Sequence, residues 1–299
     1  MHDNGMRLLT TAEAADYLRL KERKLYELVS DGAIPCTKIT GRWLFPKDEL
    51  DHWLASSLIR PDGMVAPEPM PIVGGSHDPL LEWALRESGS GLATLPEGSE
   101  AGLARFMRGE LVAAAIHLHA LSNADVDANV DAMRSGSNLH DAVLLAFARR
   151  EQGLVVAAGN PRGIEGIDDV LRLRARVAVR PAGAGAQLLL AALLHRARAS
   201  PAQLTTAGPP CPTGPDIAQA IRADRADCGI ATRSVATAAG LGFVSLVWER
   251  FDLVVRQREY FRAPVQALAE FLRTPAIAAR ARELGGYDLA QAGSVRFAP

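Results

Sequence analysis

The sequence predicts an α/β protein in two parts, a small helical module with a hairpin and a larger α/β domain. About 55 residues at the start carry two short helical patterns and a strand pair. A stretch with four prolines then interrupts the periodic patterns, and beyond it apolar strands alternate with helical segments. Such alternation favours a largely parallel sheet. We therefore expect domains at residues 1–55 and 71–299, joined by a linker at 56–70.

Composition limits the class of protein. The chain has 299 residues, 48% hydrophobic and 22% charged, which is enough for about two domains with buried cores. No apolar run reaches the roughly 18 residues of a membrane span, and the first residues lack a basic region followed by an apolar stretch. We expect a cytoplasmic protein. The formal net charge of -1 means that any contact with nucleic acid must come from a local basic patch.

The three cysteines indicate neither disulfides nor a zinc module. Cys36, Cys211 and Cys228 are scattered along the chain without C-x-x-C spacing. We expect them to be small buried hydrophobic residues.

The amino-terminal module has the element order of a winged helix-turn-helix. Thr10 or Thr11 is predicted to cap a first helix, and a second helix follows the turn at Arg19 and Leu20 and ends near Asp31. The segments "IPCTKI" and "RWLFP" are predicted strands joined by a tight turn, and "KDELDHWL" is a closing helix. The strand pair occupies the position of the wing.

Basic side chains cluster at the start of the second helix. Residues 19–24 hold four of them, Arg19, Lys21, Arg23 and Lys24, against the single acid Glu22. A recognition helix meets bases and phosphates at this end, so the cluster predicts DNA binding. The other interpretation is an ordinary solvated helix face, because residues 7–60 hold nine basic and eight acidic residues.

The stretch from Leu8 to Leu54 resembles the MerR/excisionase-type DNA-binding domain through "TAEAADYL", "LYELVSDGAIP" and "GRWLFPKDELDHWL". In that family the second helix enters the major groove and the wing touches the adjacent backbone. The resemblance implies DNA-facing residues in the helix and in the wing: Lys21, Arg23, Lys24, Tyr26, Lys38, Arg42 and Trp43. Arg19 stands where such motifs commonly have Gly and adds charge to this side. Trp43 can equally be a core aromatic beneath the wing.

In the larger domain, four apolar strands run into polar turns, each a candidate cradle for a ligand. In the first turn, Ser76 and His77 offer a hydroxyl and an imidazole beside free helix amides, whereas Asp78 is predicted to cap the next helix. In the second, Gly98 and Ser99 precede a helix.

His117 and His119 belong to the same second region, at the end of the strand "LVAAAI" and on one strand face. They are either hydrogen-bond donors for a ligand or half of a metal site. Because a metal needs three or more ligands, the sequence favours the first interpretation.

The third turn is "RPAGAGAQ", in which Gly183 and Gly185 open an apolar helix and Gln187 offers an amide. It lacks the glycine pattern of a dinucleotide fingerprint. The fourth places Asp227 at the start of the strand "CGIA", where we expect its carboxylate at the sheet edge close to Arg233 or Ser234. An exposed turn acid is the equally good interpretation of Asp227.

The order of these segments resembles the solute-binding, periplasmic-binding-protein-like domain of cytoplasmic regulators and of proteins near molybdopterin biosynthesis, related in fold to molybdate and tungstate binding proteins. It rests on "GSHDPLL", "EGSEAGLARFMRGELVAAAIHL", "QGLVVAAGNPRGIEGIDDV", "IRADRADCGIA" and "LGFVSLVWERFDLVV". The resemblance implies a type II fold with lobes at about 70–150 with 245–299, and 155–243. It also implies a ligand held between the lobes by helix amino termini. Our candidate ligand-binding residues are Ser76, His77, Gly98, Ser99, His117, His119, Gly183, Gly185, Gln187 and Asp227.

One departure bears on the ligand. The family usually has a Gly-Ser-Gly-Thr-Arg loop where this chain has residues 183–187, "GAGAQ". The chain thereby lacks two hydroxyls and a guanidinium that a dehydrated oxyanion needs. This loss favours a less charged or larger organic ligand over molybdate or tungstate.

Together these features predict a one-component transcriptional regulator that binds double-stranded DNA as a homodimer and senses an oxyanion or a small organic metabolite. We expect no cofactor, no metal site and no catalytic residue, because no nucleophile, base and orienting group stand at recognisable spacing. The alternatives are a non-regulatory solute-binding protein, a molybdenum-cofactor-related protein and an excisionase-like DNA architectural factor.

Overall fold

The computed structural model describes residues 7–56, 68–119, 127–135 and 139–298. The chain divides into two compact units, Met1–Pro67 and Glu68–Pro299. Residues 57–67 of the predicted linker lie outside the described residues, so the linker bounds stay a prediction. Within the described ranges, no helix is long and apolar enough to cross a membrane.

The first unit has the predicted helix order and hairpin. Its elements are β1 (Leu8–Thr10), α1 (Thr11–Tyr17), α2 (Glu22–Ser30), β2 (Thr37–Ile39), β3 (Arg42–Pro46) and α3 (Lys47–Ser56). The sheet order is β1-β3-β2, in which β1 is an addition that the sequence did not predict. Thr10 caps α1 through a reciprocal capping box with Glu13. The turn before α2 passes through Arg19 with a left-handed φ of 55°, the conformation that glycine adopts most easily.

The second unit begins with a βα alternation. Its elements up to the centre of the chain are β4 (Met70–Gly75), α4 (Pro79–Glu87), β5 (Ala93–Pro96), α5 (Ser99–Met107), β6 (Leu111–Ile116), α6 (Ala128–Ser135) and β7 (Ala142–Val156). The next set is α7 (Ile167–Arg172), β8 (Arg176–Ala178), α8 (Gly185–Arg196), β9 (Thr205–Thr206), α9 (Gly214–Arg222), β10 (Cys228–Thr232) and α10 (Arg233–Ala239). The unit ends with β11 (Gly242–Arg256), α11 (Gln257–Tyr260), α12 (Ala263–Phe271), α13 (Pro275–Leu284), β12 (Tyr287–Asp288) and β13 (Val295–Phe297).

Two long strands carry the sheet of this unit from one lobe into the other. The strand order is β5-β4-β6-β11-β7-β10-β8-β9, with β12 and β13 also paired to β7. β11 pairs with β6 through residues 252–255, and β7 pairs with β10 through residues 152–156. The first lobe therefore uses one half of each long strand and the second lobe the other half, in agreement with the predicted lobes.

The prediction of a largely parallel sheet is wrong at the sheet centre. β4, β5 and β6 are parallel to one another, as are β8, β9 and β10. However, β7 and β11 are antiparallel to each other, and they also pair antiparallel with β10 and β6. The short βα units predict parallel neighbours correctly within each lobe. Between the lobes, however, the chain crosses on two continuous strands, β7 and β11, which run in opposite directions.

Both lobes have apolar cores that cover the sheet. Leu145, Phe147 and Phe251 lie at the centre of the first lobe and are fully buried. Leu154 and Leu189 belong to the core of the second lobe. Since α8 packs on this core, its amino terminus is fixed relative to the strand ends.

Candidate functional site

The first unit presents an exposed basic helix surface. Leu25 is fully buried and belongs to the unit's small apolar core, which fixes α2 on one side. Lys21, Arg23, Lys24 and Tyr26 are exposed at the start of this helix. Glu27 partly neutralises this surface, with its Oε1 3.4 Å from Arg23 Nε and its Oε2 3.1 Å from Lys24 Nζ. Phosphate oxygens can replace such an exposed carboxylate because pairs of this kind contribute little stability.

The hairpin adds basic groups. Lys38 and Arg42 are exposed on β2 and β3, and Arg19 is exposed in the turn before α2. Trp43 is half-buried and packs on the apolar core, while Lys38 Nζ lies 5.1 Å from its ring centroid. The contacts of Trp43 therefore suit the core interpretation and leave part of its ring accessible.

In the second unit, a small polar cavity lies where the two lobes meet. Its volume is about 20 Å³, roughly the space for one water molecule. Arg150 and Gln152 line it from within β7, and the other lining residues come from the ends of strands and the starts of helices in both lobes: Ser76, His77, His117, Arg180, Ala184, Gly185, Ala186, Gly214, Ala231, Thr232 and Val235. A ligand larger than water needs more space than this cavity has.

On the first-lobe side, the buried Arg150 organises a dense polar network. Its side chain is 1% exposed, and its Nε donates to Glu249 Oε1 at 2.7 Å. Its Nη1 donates to Asp78 Oδ2 and its Nη2 to His117 Nδ1, each at 2.8 Å. The guanidinium also lies 3.9 Å from the centroid of Phe251. Every nitrogen of this side chain thus has a partner, as a buried charge requires.

Asp78 has two structural roles. Its Oδ1 accepts the backbone N–H groups of Leu80 and Leu81, so it caps α4 as predicted. Its Oδ2 accepts from Arg150 and also from the hydroxyl of Tyr287 at 3.0 Å. Since both oxygens are occupied, the carboxylate is compensated beside the cavity.

The network keeps His117 neutral. Burial lowers the pKa of His117 well below its ordinary value, and the charge of Arg150 acts in the same direction against that of Glu249. An arginine nitrogen can only donate, so Nδ1 of His117 is the acceptor and Nε2 carries the proton. For Glu249, burial raises the pKa, but the charges of the network and the hydrogen bond with His119 outweigh burial and lower it. Glu249 is therefore a buried carboxylate anion.

Serine hydroxyls join the first two predicted turns. Ser76 Oγ and Ser99 Oγ are 2.7 Å apart, and both side chains are buried. Ser99 Oγ accepts the backbone N–H of His117 at 3.2 Å and lies 3.5 Å from its Nδ1. Gly98, at a φ of 94°, lets the chain turn into α5 close to Ala184. The structure thus brings Ser76, Ser99 and His117 together.

The second lobe contributes the "AGAGAQ" loop and the amino terminus of α8. The N–H of Glu100 donates to the carbonyl of Gly183 at 3.2 Å, which joins the two lobes directly. A Cβ built on Gly185 would overlap the imidazole of His117, so only glycine permits this approach. Helix α8 has no side-chain cap, and the start of α9 at Gly214 also lines the cavity. The positive ends of these helices favour an anion.

Two polar atoms at the cavity have no partner within the described part of the chain. Arg180 Nη2 donates to the carbonyl of Pro212 at 2.6 Å, but its buried Nε is unpartnered. Gln152 is 2% exposed and its Nε2 donates to Glu249 Oε1 at 3.0 Å, which leaves its Oε1 unpartnered. An amide oxygen in the place of Nε2 would lie against the carboxylate oxygen of Glu249, which favours this amide orientation. Gln152 Nε2 also lies 3.3 Å from His117 Nε2, and this approach is not a hydrogen bond because both nitrogens carry protons. Burial lowers the pKa of Arg180, whose guanidinium nevertheless stays charged.

The structure does not bring every candidate to the cavity. His77 lines it, with Nε2 3.5 Å from Glu82 Oε2. His119 is outside the lining and contacts Glu249 Oε2 at 2.8 Å. Gln187 turns back and accepts the N–H of Arg180 at 3.0 Å. No group of three or more His, Cys, Asp or Glu that could hold a metal occurs in residues 7–56, 68–119, 127–135 and 139–298.

Asp227 lies in a different place from the one we predicted. It precedes β10, whereas the cavity lies at the other end of that strand, at Thr232. Its carboxylate pairs with Arg162 and Arg176 instead of Arg233 or Ser234. Because β10 lines the cavity with Ala231 and Thr232 at its carboxyl end, an acid before its amino end cannot reach the cavity.

Sequence reasoning missed the centre of the network, namely Arg150, Gln152, Arg180, Glu249 and Tyr287. One signal was available. "RREQ" interrupts the apolar run of β7, and "ERFD" interrupts that of β11. Arg150 and Glu249 are directly paired in the register of the two strands, so the interruptions compensate each other. Charged residues inside long buried strands therefore indicated a site.

Family comparisons agree with this architecture. Residues 82–273 match the model of the PBP superfamily domain, and residues 8–57 match that of a helix-turn-helix domain. The chain belongs to the PBP superfamily, with a helix-turn-helix domain before the PBP-like domain. These matches confirm the predicted fold class and the predicted combination of domains.

One curated relative aligns over nearly the full length of both proteins. The uncharacterized protein YvgK of Bacillus subtilis (strain 168) is 22% identical over 307 residues, covering 96% of each chain.

Solved structures show weaker likenesses. The tungstate ABC transporter from Geobacter sulfurreducens is 14% identical, with a TM-score of 0.48, over 71% of this chain and 97% of that one. A hydrogen-peroxide-bound cysteine mutant of OxyR from Corynebacterium glutamicum is 14% identical, with a TM-score of 0.47, over 91% of each chain. Peb3 from Campylobacter jejuni is 12% identical, with a TM-score of 0.45, over 72% of this chain and 97% of that one.

Proposed function

We propose that the protein is a one-component transcriptional regulator. Its helix-turn-helix domain binds a DNA operator, and a small molecule that enters the cleft of the PBP-like domain changes the affinity for that operator. The observation that carries the proposal is the presence, in one chain, of an exposed basic helix and of a two-lobed domain whose cleft holds polar atoms without partners among the described residues.

The ligand acts through the difference between open and closed lobes. A ligand that contacts both lobes binds the closed form more tightly, and that difference in affinity is the free energy available to change DNA binding. Homodimerisation would place two recognition helices on the half-sites of a pseudo-palindromic operator. We assign the protein to the cytoplasm because its proposed target is DNA.

The DNA arm is tested by selecting bound duplexes from a random-sequence pool and measuring their affinity by gel shift at physiological salt. We expect a selected sequence that binds more tightly than bulk DNA, with two half-sites if the protein is a dimer. Equal affinity for the selected and bulk DNA would contradict the proposal. Repeating the gel shift with candidate oxyanions and metabolites tests the ligand arm.

Lys21→Ala identifies the DNA surface. Lys21 is exposed at the start of α2, so its loss should weaken binding to all sequences and lower the slope of log affinity against log salt by about 1. Fluorescence anisotropy over a salt series measures this slope. Arg86→Ala in α4 is the control, since it removes an exposed charge from the other unit. Equal slopes for Lys21→Ala and the unmodified protein would place the DNA elsewhere.

A further inference from the structure

We infer that the cleft selects a small, singly charged anion that also carries a hydroxyl or N–H donor, such as a 2-hydroxycarboxylate, and rejects doubly charged oxyanions. This inference rests on the proposed function because it takes the cleft as the ligand site. Three observations support it: the charge balance around the cavity, the free acceptor of Gln152, and the lobe contacts at Gly185.

The charges named around the cavity cancel, since Arg150 and Arg180 oppose Asp78 and Glu249, but among the described residues Arg180 makes no ion pair within 4 Å. Arg150 faces two carboxylates, those of Asp78 and Glu249, and its nitrogens are occupied. His117 is neutral for the reason given above, so it adds no charge. In the part of the chain that the structure describes, Arg180 is thus the cation at the cavity with a buried donor that lacks a partner. One free guanidinium and uncapped helix amides suit a single negative charge, whereas a second negative charge would lie near two buried carboxylates without compensation.

The free acceptor decides what else the ligand must carry. Gln152 Oε1 is buried at the cavity without a partner among the described residues, because the amide turns its Nε2 toward Glu249 Oε1. Molybdate, tungstate and sulfate present only acceptor oxygens at neutral pH, so they would leave Gln152 Oε1 unsatisfied or repel it. A ligand hydroxyl or N–H donates to this oxygen and removes the cost of its burial.

The lobe contacts limit the size of the ligand. Gly185 lies against the imidazole of His117, and the N–H of Glu100 bonds to the carbonyl of Gly183. A large ligand would hold these groups apart and would lose the interlobe contacts that favour closure. A carboxylate at Arg180 with a neighbouring hydroxyl at Gln152 needs only a few heavy atoms.

Titration calorimetry of the full-length protein with matched anions tests the inference. We expect glycolate or lactate to bind at least about tenfold more tightly than acetate or propionate, which lack the hydroxyl. Sulfate, molybdate and tungstate should give no binding at the same concentrations. Equal affinity with and without the hydroxyl, tighter binding of any of the three oxyanions, or no binding of either hydroxy acid overturns the inference.

Two variants assign the selectivity to its atoms. Gln152→Met keeps the side-chain length but removes the acceptor, so the preference for glycolate over acetate should disappear. Arg180→Gln should abolish binding of both anions, whereas Arg172→Gln, which changes an exposed arginine of the same lobe, should leave both affinities unchanged. A preference that persists in Gln152→Met overturns the assignment. If that variant fails to fold, the ligand series on the unmodified protein still decides.

Gel shifts with the selected duplex separate this inference from the proposed function. If glycolate or lactate binds but leaves DNA affinity unchanged, the regulator proposal fails and the ligand class stands. If an oxyanion alone changes DNA affinity, the regulator stands and the inferred ligand class is wrong.

Discussion

The two sides of the cleft use arginine in opposite ways. On the first-lobe side, each nitrogen of Arg150 has a partner, and the side chain is sealed by Phe251. On the second-lobe side, Arg180 donates to one backbone carbonyl and retains a buried Nε without a partner in the described residues.

This difference distinguishes groups that stabilise the folded protein from groups that can bind a ligand. A buried polar group whose hydrogen bonds are all made in the folded protein stabilises it only as part of its network. Removing one member leaves the other buried groups without their partners. A group that folding leaves unsatisfied costs stability and recovers that cost when a ligand binds. Arg150 therefore stabilises the polar network of the cleft. Arg180 and Gln152 each have a buried atom that can gain a hydrogen bond from a ligand.

The largest expected effect comes from Arg150→Met. This substitution leaves Asp78 and Glu249 buried without their cation, so we expect the free energy of unfolding to fall by about 3–5 kcal/mol. Arg180→Gln should change it by less than about 1 kcal/mol because the guanidinium has few partners to lose. Urea denaturation measures both.

Arg149→Met is the matched control, since Arg149 is exposed and precedes Arg150 on the same strand. It should stay within about 0.5 kcal/mol of the unmodified protein. If Arg150→Met and Arg180→Gln destabilise equally, the contrast between the two sides of the cleft is wrong.

The next largest change in stability is expected at Gly185, where the two sides of the cleft are in contact. In Gly185→Ala, the added methyl would overlap His117, so we expect a loss of about 1–3 kcal/mol and weaker ligand binding because closure is blocked. Thermal unfolding measures the loss of stability, and titration calorimetry measures the loss of ligand affinity. Gly166→Ala should cost less than about 1 kcal/mol, since a Cβ at Gly166 meets nothing within 4 Å. A harmless Gly185→Ala would mean that the lobes do not need this close approach.

A smaller, pH-dependent effect comes from His117. Its pKa is lowered in the folded protein, so below the ordinary value of 6.5 the unfolded chain takes up a proton that the folded protein does not. This difference makes stability rise with pH, and about 1.4 kcal/mol should be lost between neutral pH and about pH 5.5.

Comparison with His117→Gln isolates this contribution, because Asp252, whose pKa burial raises to about 6, acts in the opposite direction. Urea denaturation at several pH values should show a steeper acid loss for the unmodified protein than for His117→Gln. The exposed His195→Gln is the control and should keep the steeper loss. Identical pH profiles for all three proteins would show that His117 is not held neutral.

Sequence patterns gave most of the elements because each depends on neighbours along the chain. The cap at Thr10, the basic start of α2, the glycine turns and the cap at Asp78 all follow from local hydrogen bonding and periodicity. Local patterns could not give the antiparallel crossing of β7 and β11, whose partners are about a hundred residues apart. The lesson from "RREQ" and "ERFD" is that charges within buried strands should be sought in pairs.

The sequence by itself determined which turns are polar, which helix is basic and that two domains share the chain, since side-chain chemistry and spacing decide these. Only the tertiary structure decided which polar groups are already satisfied. Asp78 is compensated because β7 brings Arg150 to it, Gln187 turns back to its own loop, and Asp227 lies at the wrong end of its strand. Burial and pairing depend on groups distant in sequence, so the donors and acceptors left for a ligand emerge only in the folded domain.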